Sequence, residues 1–209
     1  MKFIQQAYLG NNEWWAYVVA LIVMMIGWQF IGVMPLLVVA LNHSPDIGAF
    51  MESAAQTFTN LGIDSKVYLI LIISTFFFGL LFLIIGIKYI HKRTMRSVLT
   101  SRTKVDWNRI FYAFFVWLII GVVMVAISYM LAPEDFIWNF KPVPFAILIL
   151  ISFLLLPIQT SFEEVLFRGY LLQGIGTWLK SPFIAVVVTA VIFGSLHGLN
   201  PEVEKLGWS

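Results

Sequence analysis

The sequence predicts an all-α protein that crosses a membrane several times, and three observations carry this prediction. Apolar residues make up 60% of the chain and charged residues only 11%, whereas soluble domains hold roughly 45–50% and about 25%. The apolar residues form runs, four of which reach the ~20 residues that a helix needs to cross the hydrocarbon core. These runs do not alternate apolar and polar residues as barrel strands do, so helices remain as the way to satisfy the backbone in lipid.

Five membrane helices follow from these runs, and the fifth is short. Their expected bounds are about 14–41, 67–90, 110–131, 142–162 with an extension to 179, and 182–197. Within the first four runs, up to residue 162, the only charged residue is Lys88, which lies near the end of its run. We therefore expect a polytopic transmembrane helical bundle that forms a single membrane domain over residues 1–209.

The basic residues between the second and third runs set the expected orientation. The segment 91–109 contains six lysines and arginines, whereas 42–66 and 132–141 hold one each, Lys66 and Lys141. The positive-inside rule then places 91–109 in the cytoplasm, in a multi-pass protein of the inner (plasma) membrane. Because topology explains the basic segment, we expect the lipid bilayer as a partner and no nucleic acid.

Two polar motifs interrupt the apolar runs near the C-terminal end of the sequence. The first is Glu163-Glu164-x-x-x-Arg168, and the second is Phe193-x-x-x-His197. Ionisable groups at membrane depth cost about 2.5–3.5 kcal/mol each on insertion and usually mark function. Glu164 and Arg168 are four apart and share a helix face, whereas Glu163 points about 100° away from Glu164.

A glutamate and a histidine around one water form a hydrolytic site. We predict that Glu163 is the base that takes a proton from water and that His197 orients this water. Glu164 is expected to pair with Arg168, so that Glu164→Gln would cost stability by leaving the arginine unpaired.

A stripe of small residues lies on the helix of the second motif. Its members recur every four residues: Ala190, Gly194 and Gly198. Small residues at this spacing let two membrane helices approach closely. The stripe therefore predicts a close contact between this helix and the helix that carries Glu163.

No cofactor and no metal are expected from the sequence. The chain has no cysteine, which excludes disulfides and a thiolate zinc site. Its three histidines are never four apart, so a His-Glu-x-x-His zinc motif is absent, as are a P-loop and a dinucleotide fingerprint. Ser195 and His197 are two apart and lie on nearly opposite helix faces, which excludes a local Ser–His pair.

Plainer interpretations of the two motifs remain open. A Glu-Glu-x-x-x-Arg cluster where a helix leaves the membrane is also typical of an interfacial cap with an ion pair, and a single histidine is often structural. A transporter, in which buried charge lines a pathway, is a further class. Transporters of this kind usually show a pair of broken helices, and the sequence shows none.

Taken together, the motifs resemble the first two motifs of the CAAX protease and bacteriocin-processing family, the CPBP or Abi group of intramembrane endopeptidases. The neighbours Phe167-Arg168-Gly169 and His197-Gly198-Leu199-Asn200 agree, and the firm part of the resemblance covers about 161–200. It implies that Glu163 and His197 hydrolyse a peptide bond of a membrane-associated or lipidated protein or peptide, while Arg168 is held by Glu164. Some relatives lack proteolysis, so a non-catalytic protein of bacteriocin self-immunity or a scaffold is the alternative.

A third motif of that family, His-x-x-x-Asn or His-x-x-x-Asp, is absent from the sequence. It normally supplies a second histidine and an amide to the oxyanion, yet no histidine follows His197. We therefore expect the sequence to be truncated at its C-terminus. Loss of one oxyanion donor lowers the rate by roughly 10²–10³, so a chain that naturally ended here would be a doubtful catalyst.

Overall fold

The computed structural model describes residues 2–198, and within them the chain is helical with no strand. The α-helices are α1 (Trp14–Met25), α2 (Met34–His43), α3 (Ile47–Ala54), α4 (Ser65–Ile85), α5 (Met95–Leu99), α6 (Trp107–Leu131), α7 (Pro142–Glu163), α8 (Leu172–Trp178) and α9 (Pro182–His197). Three π-helical segments, Ile26–Ile31, Gly86–Ile90 and Glu164–Leu171, continue α1, α4 and α7. A 3-10 helix, Ile4–Leu9, precedes α1.

Four helical stretches are long and apolar enough to cross a membrane. They are Trp14–His43, Ser65–Ile90, Trp107–Leu131 and Pro142–Trp178, with mean hydropathies from 2.2 to 2.8. The expected fifth span, α9, is apolar but only 16 residues long. The all-α, multi-pass membrane fold is therefore confirmed, whereas the single domain with five membrane helices stays a prediction.

Capping residues in the loops determine where the membrane helices begin. The side chains of Asp64 and Asp106 accept hydrogen bonds from backbone N–H groups in the first turns of α4 and α6. Ser181 does the same for α9, and Pro142 opens α7 with a backbone angle that already suits a helix. The starts of these helices are thus fixed by local chemistry, independently of packing.

Glycines permit the helices to touch where the π-helical segments lie. A Cβ added at Gly86 would come within 2.9 Å of the Ala20 Cβ, and one at Gly169 within 2.8 Å of a Val98 methyl. Any larger side chain would push these elements apart, because close packing leaves no space for an extra methyl group. The close contact at Gly169 fixes the C-terminal half of the segment Glu164–Leu171 against α5.

The core of the bundle lies between α1, α4 and the end of α7. Tyr17, Leu83, Phe162 and Tyr170 are among its fully buried side chains. Phe162 packs against Trp28 with ring centroids 4.9 Å apart, and such aromatic pairs add about 0.5–1.5 kcal/mol to burial. Since Phe162 directly precedes Glu163, this core fixes the backbone at the first motif.

The helix α6 lies apart from this core. None of its residues, Trp107–Leu131, is buried in the structure, and a Cβ at Gly121 would meet no atom within 4 Å. Its backbone hydrogen bonds are satisfied within the helix, which is what an apolar environment requires. Within the described part of the chain, the other helices therefore bury no residue of α6.

Candidate functional site

The first motif lies where α7 passes into the π-helical segment Glu164–Leu171. Glu163 is the last residue of α7, and Glu164 is the first of the π-helical segment. The hydrogen bonds of a π-helix connect residues five apart, so the side chains after Glu164 point in directions that an α-helix would not give them. Such segments are rare and occur frequently at functional sites.

Glu164 and Arg168 form an ion pair between one carboxylate oxygen and Nη1 of the guanidinium. We refer to these two residues as the motif ion pair. Both side chains are largely exposed, Arg168 at 63% and Glu164 at 53%. An exposed pair contributes at most about 1 kcal/mol, so the stability cost expected for Glu164→Gln falls to that range.

Glu163 points to a different partner. Its side chain is half-buried, and one carboxylate oxygen accepts a hydrogen bond of 3.3 Å from the amide nitrogen of Gln159, one turn earlier on α7. A carboxylate offers about four acceptor positions on two oxygens. The bond to Gln159 therefore orients the carboxylate and leaves acceptor positions for a water molecule.

Phe193 connects the second motif to the first. Its ring centroid lies 5.6 Å from the Arg168 guanidinium carbon, which is cation–π distance. The same ring lies 5.1 Å from that of Phe167 and 4.2 Å from that of His197.

The imidazole of His197 is exposed, and its Nδ1 is 3.0 Å from the carbonyl oxygen of Phe193. A carbonyl only accepts, so Nδ1 donates and a neutral ring presents Nε2 as an acceptor.

The structure thus brings Glu164, Arg168, Phe193 and His197 into one row of contacts. Glu163 is adjacent in sequence, but within residues 2–198 no hydrogen bond joins it to His197. The joint action of Glu163 and His197 on one water stays a prediction. Leu199 and Asn200, the remaining neighbours in the second motif, lie outside the described residues.

A cavity of about 250 Å³ lies beside Arg168, between the π-helical segment and α9. Ala190 and Gly194 line it, and a Cβ at Gly194 would have no neighbour within 4 Å. The predicted close helix contact is therefore wrong at Gly194. The rings of Phe167 and Phe193 fill the space between the two elements, and the small residues beside them leave a cavity.

The structure also contains a polar cluster that the sequence had not indicated. We call it the buried polar cluster, and its members are His91, Arg93, Ser97, Tyr170 and Gln173. The Arg93 guanidinium donates to the side-chain oxygen of Gln173 and, over 3.3 Å, to the hydroxyl of Ser97. The Gln173 amide donates to the Ser97 carbonyl over 2.8 Å. We call the continuous helical stretch Pro142–Trp178, which carries the first motif, the motif helix. These bonds tie its C-terminal end to the segment after α4.

The hydrogen bonds of His91 define its tautomer. Nδ1 is 2.7 Å from the carbonyl oxygen of Asn11, and Nε2 is 2.7 Å from the hydroxyl of Tyr170. Nδ1 must donate to the carbonyl, so in a neutral ring Nε2 accepts from Tyr170. Burial, together with the nearby positive charge of Arg93, holds the pKa of His91 below its ordinary value of 6.5. Burial likewise lowers the pKa of Arg93.

The sequence did not indicate that His91 and Arg93 are buried, because they begin the basic segment 91–109, which predicts a solvated cytoplasmic loop. One signal was present in the motif helix. Gln173 is a polar residue in an otherwise apolar stretch, and Tyr170 lies three positions before it on the same face. A buried amide needs partners, so this pair indicated a polar contact whose other half the sequence did not identify.

The described residues offer no set of metal ligands. Among residues 2–198, no three His, Cys, Asp or Glu side chains lie close enough together to hold an ion. The roles of Glu163 as base and of His197 beside the water stay predictions, and Glu164 is the ion-pair partner of Arg168.

Residues 142–209 match the family described as Type II CAAX prenyl endopeptidase Rce1-like. This segment, about a third of the chain, is similar to that family. The match contains Glu163, Glu164, Arg168 and His197, and it confirms the family resemblance that the two motifs predicted. The Rce1-like segment comprises the motif helix, α9 and the residues beyond it.

A curated relative extends the similarity over most of the chain. The "Uncharacterized protein YyaK" of Bacillus subtilis (strain 168) is 30% identical over 202 residues. The similarity covers 94% of this chain and 64% of the relative, so the chain spans somewhat less than two thirds of the relative's length. No solved structure matches the chain.

Proposed function

We propose that this protein is an intramembrane endopeptidase of the plasma membrane that hydrolyses a peptide bond in a membrane-associated or lipidated protein or peptide. The observation that carries the proposal is the position of Arg168. It pairs with Glu164 of the first motif, and its guanidinium carbon lies 5.6 Å from the Phe193 ring of the second. The Rce1-like match over the same segment supports hydrolysis of peptides.

In this proposal Glu163 is the general base. Its carboxylate takes a proton from a water molecule while the water oxygen forms a bond to the scissile carbonyl carbon. The carbon–nitrogen bond of the tetrahedral intermediate then breaks, and the protonated Glu163 returns its proton to the leaving amine. The water is thereby divided between the two products, and Glu163 is again ionised.

His197 would position the water. Its Nδ1–H is engaged by the carbonyl of Phe193, which leaves Nε2 as the acceptor for a water O–H. The contact between the rings of Phe193 and His197 restricts the imidazole further. His197 thus acts on the water from α9, while Glu163 acts from α7.

The lining of the cavity beside Arg168 favours an apolar substrate in this proposal. Phe167, Leu172 and Val186 contribute to its walls, so most of the lining is hydrocarbon. An apolar pocket with one polar group is typical of ligand sites in which hydrophobic contact gives affinity and the polar group gives orientation. A prenylated peptide of the CAAX type is therefore the first substrate to test.

The decisive experiment measures cleavage of a farnesylated CAAX peptide by the purified full chain in liposomes. Glu163→Gln should lower kcat by about 10²–10⁴, because general-base catalysis is lost while the shape is kept. The matched control is Glu134→Gln, which removes the same charge from the connection between α6 and α7. An unchanged cleavage rate in Glu163→Gln would exclude the proposed mechanism.

A non-catalytic Rce1-like protein, of bacteriocin self-immunity or scaffold type, is the second candidate. It is favoured by the hydrogen bonding of Glu163, whose described partner is Gln159 on its own helix rather than His197. For such a protein, the wild type and Glu163→Gln would show the same background cleavage. Both would also protect cells equally in a bacteriocin survival assay.

A further inference from the structure

A cavity of about 430 Å³ opens between the N-terminal ends of α4 and α7, at the end of α4 opposite the basic segment 91–109. Lys66 and Lys141 both line it, and we call it the lysine cavity. These are the only lysines or arginines in the connections 42–66 and 132–141. All the lysine and arginine side chains of these two connections therefore line the same cavity.

No carboxylate neutralises these lysines in the described part of the chain. Its ion pairs involve Arg102, Arg109 and Arg168 and neither lysine. Both lysines also stand at the start of a helix, where the helix dipole disfavours a cation. The Asp64 carboxylate caps the start of α4 beside Lys66, whereas the start of α7 at Lys141 has no side-chain cap, so a bound anion would be most favourable beside Lys141.

The lining of the lysine cavity changes from polar to apolar with distance from the lysines. Asn139 and Tyr68 lie on its polar side, and the hydroxyl of Tyr68 is held by the Thr57 carbonyl over 3.0 Å. Phe145 and Leu148, one and two turns into α7, provide an apolar wall. This arrangement suits a molecule with an anionic head and a hydrocarbon chain.

The segment before α7 places the lysine cavity at the membrane interface. Ile137 and Trp138 expose 89% and 90% of their surface, and the aromatic ring of Phe140 follows. Tryptophan rings concentrate at the level of lipid headgroups. Lys141 therefore lies at headgroup depth, and the wall of Phe145 and Leu148 extends toward the acyl chains.

We propose that the lysine cavity binds the headgroup of an anionic phospholipid. The phosphate would lie between Lys66 and Lys141, and one acyl chain would follow Phe145 and Leu148. Lysines near a membrane surface attract anionic lipids through charge, and hydrocarbon contact retains the chain. The lysine cavity is separate from the motif ion pair, so this proposal does not depend on proteolysis.

Native mass spectrometry of the purified full chain in detergent, with dioleoylphosphatidylglycerol or dioleoylphosphatidylcholine added, tests the proposal. The wild type should retain phosphatidylglycerol in preference to phosphatidylcholine. Lys66→Gln/Lys141→Gln should weaken this binding roughly thirty-fold, about fivefold per lysine, and Lys66→Arg/Lys141→Arg should keep it. Each single glutamine variant provides the same test if the double variant does not fold.

The matched control is Lys92→Gln/Lys104→Gln, which removes two positive charges at the other end of α4 and should leave the affinity unchanged. Equal retention of the two lipids, or an equal loss in the control, would overturn the proposal. Inorganic phosphate is the third probe. If it displaced phosphatidylglycerol at concentrations similar to those of the lipid, the site would be a phosphate site, and the assignment to a lipid would fail.

Discussion

Two arginines contact different faces of the motif helix, and their surroundings differ. Arg93 is brought to this helix from the segment after α4 and is 4% exposed, with Gln173 and Ser97 as acceptors. Arg168 belongs to the helix itself and is mostly exposed, with Glu164 as its partner and Phe193 beside it. Burial ties the first arginine to protein partners, whereas the second keeps most of its surface accessible.

The contrast follows from what each face packs against. Tyr170 and Gln173 face the segment 91–97, where close contact excludes solvent and the polar groups pair with protein partners, except for Nη1 of Arg93, which has none among the described residues. Glu164 and Arg168 each line a cavity instead. Substitutions on the two faces should therefore affect different properties, stability on the first and activity on the second.

The largest expected loss of stability comes from Gln173→Leu. This change leaves the buried Arg93 guanidinium without its carboxamide acceptor and the Ser97 carbonyl without a donor, and we expect it to lower the free energy of unfolding by about 3 kcal/mol. Denaturant titration in detergent measures the effect. Gln56→Leu, at an exposed position after α3, is the control and should be neutral, and a neutral Gln173→Leu would remove the distinction between the faces.

A smaller loss is expected from Tyr170→Phe. The substitution deletes the hydroxyl that donates to Nε2 of His91 and keeps the ring, so about 1–2 kcal/mol of unfolding free energy should be lost. Tyr112→Phe on the exposed helix α6 changes the same atom without this partner. If both variants unfolded at the same temperature, the bond between His91 and Tyr170 would contribute nothing to stability.

Protonation of His91 should make the stability of the folded chain depend on pH. Because burial lowers its pKa in the folded chain, the unfolded chain binds more protons between that lowered pKa and 6.5. Stability should therefore fall as the pH drops below 6.5, by at most about 1.4 kcal/mol per pH unit. Melting temperatures from pH 8 to pH 5 would show this fall in the wild type and in His43→Gln, and a reduced fall in His91→Gln.

The smallest effect on stability is expected at the motif ion pair. Glu164→Gln should lower the free energy of unfolding by less than about 1 kcal/mol, because both side chains are more than half exposed and the rest of the protein holds the pair only weakly. A double-mutant cycle with Arg168→Gln isolates the interaction between the two side chains. A coupling above about 2 kcal/mol would show that the motif ion pair is structural, like the buried polar cluster.

The sequence predicted the all-helical fold and four helices long enough to cross a membrane, because these depend on composition and length, as the long apolar run of α6 illustrates. It also predicted the family resemblance, since Glu163 to Arg168 and Phe193 to His197 are local patterns. It did not predict that Arg93 is buried, because burial depends on Gln173, which lies 80 residues later. Nor did it predict the cavity at Gly194, because spacing alone does not tell whether an aromatic neighbour holds two helices apart.

The isolation of α6 has a consequence for how the protein melts. A helix whose hydrogen bonds are all internal and whose side chains face hydrocarbon keeps its helicity when the surrounding bundle comes apart. Loss of the aromatic core and loss of helix should therefore occur at different temperatures. Near-ultraviolet circular dichroism should report the first event, which is the transition that the variants above would shift, while the far-ultraviolet signal of α6 should persist beyond it.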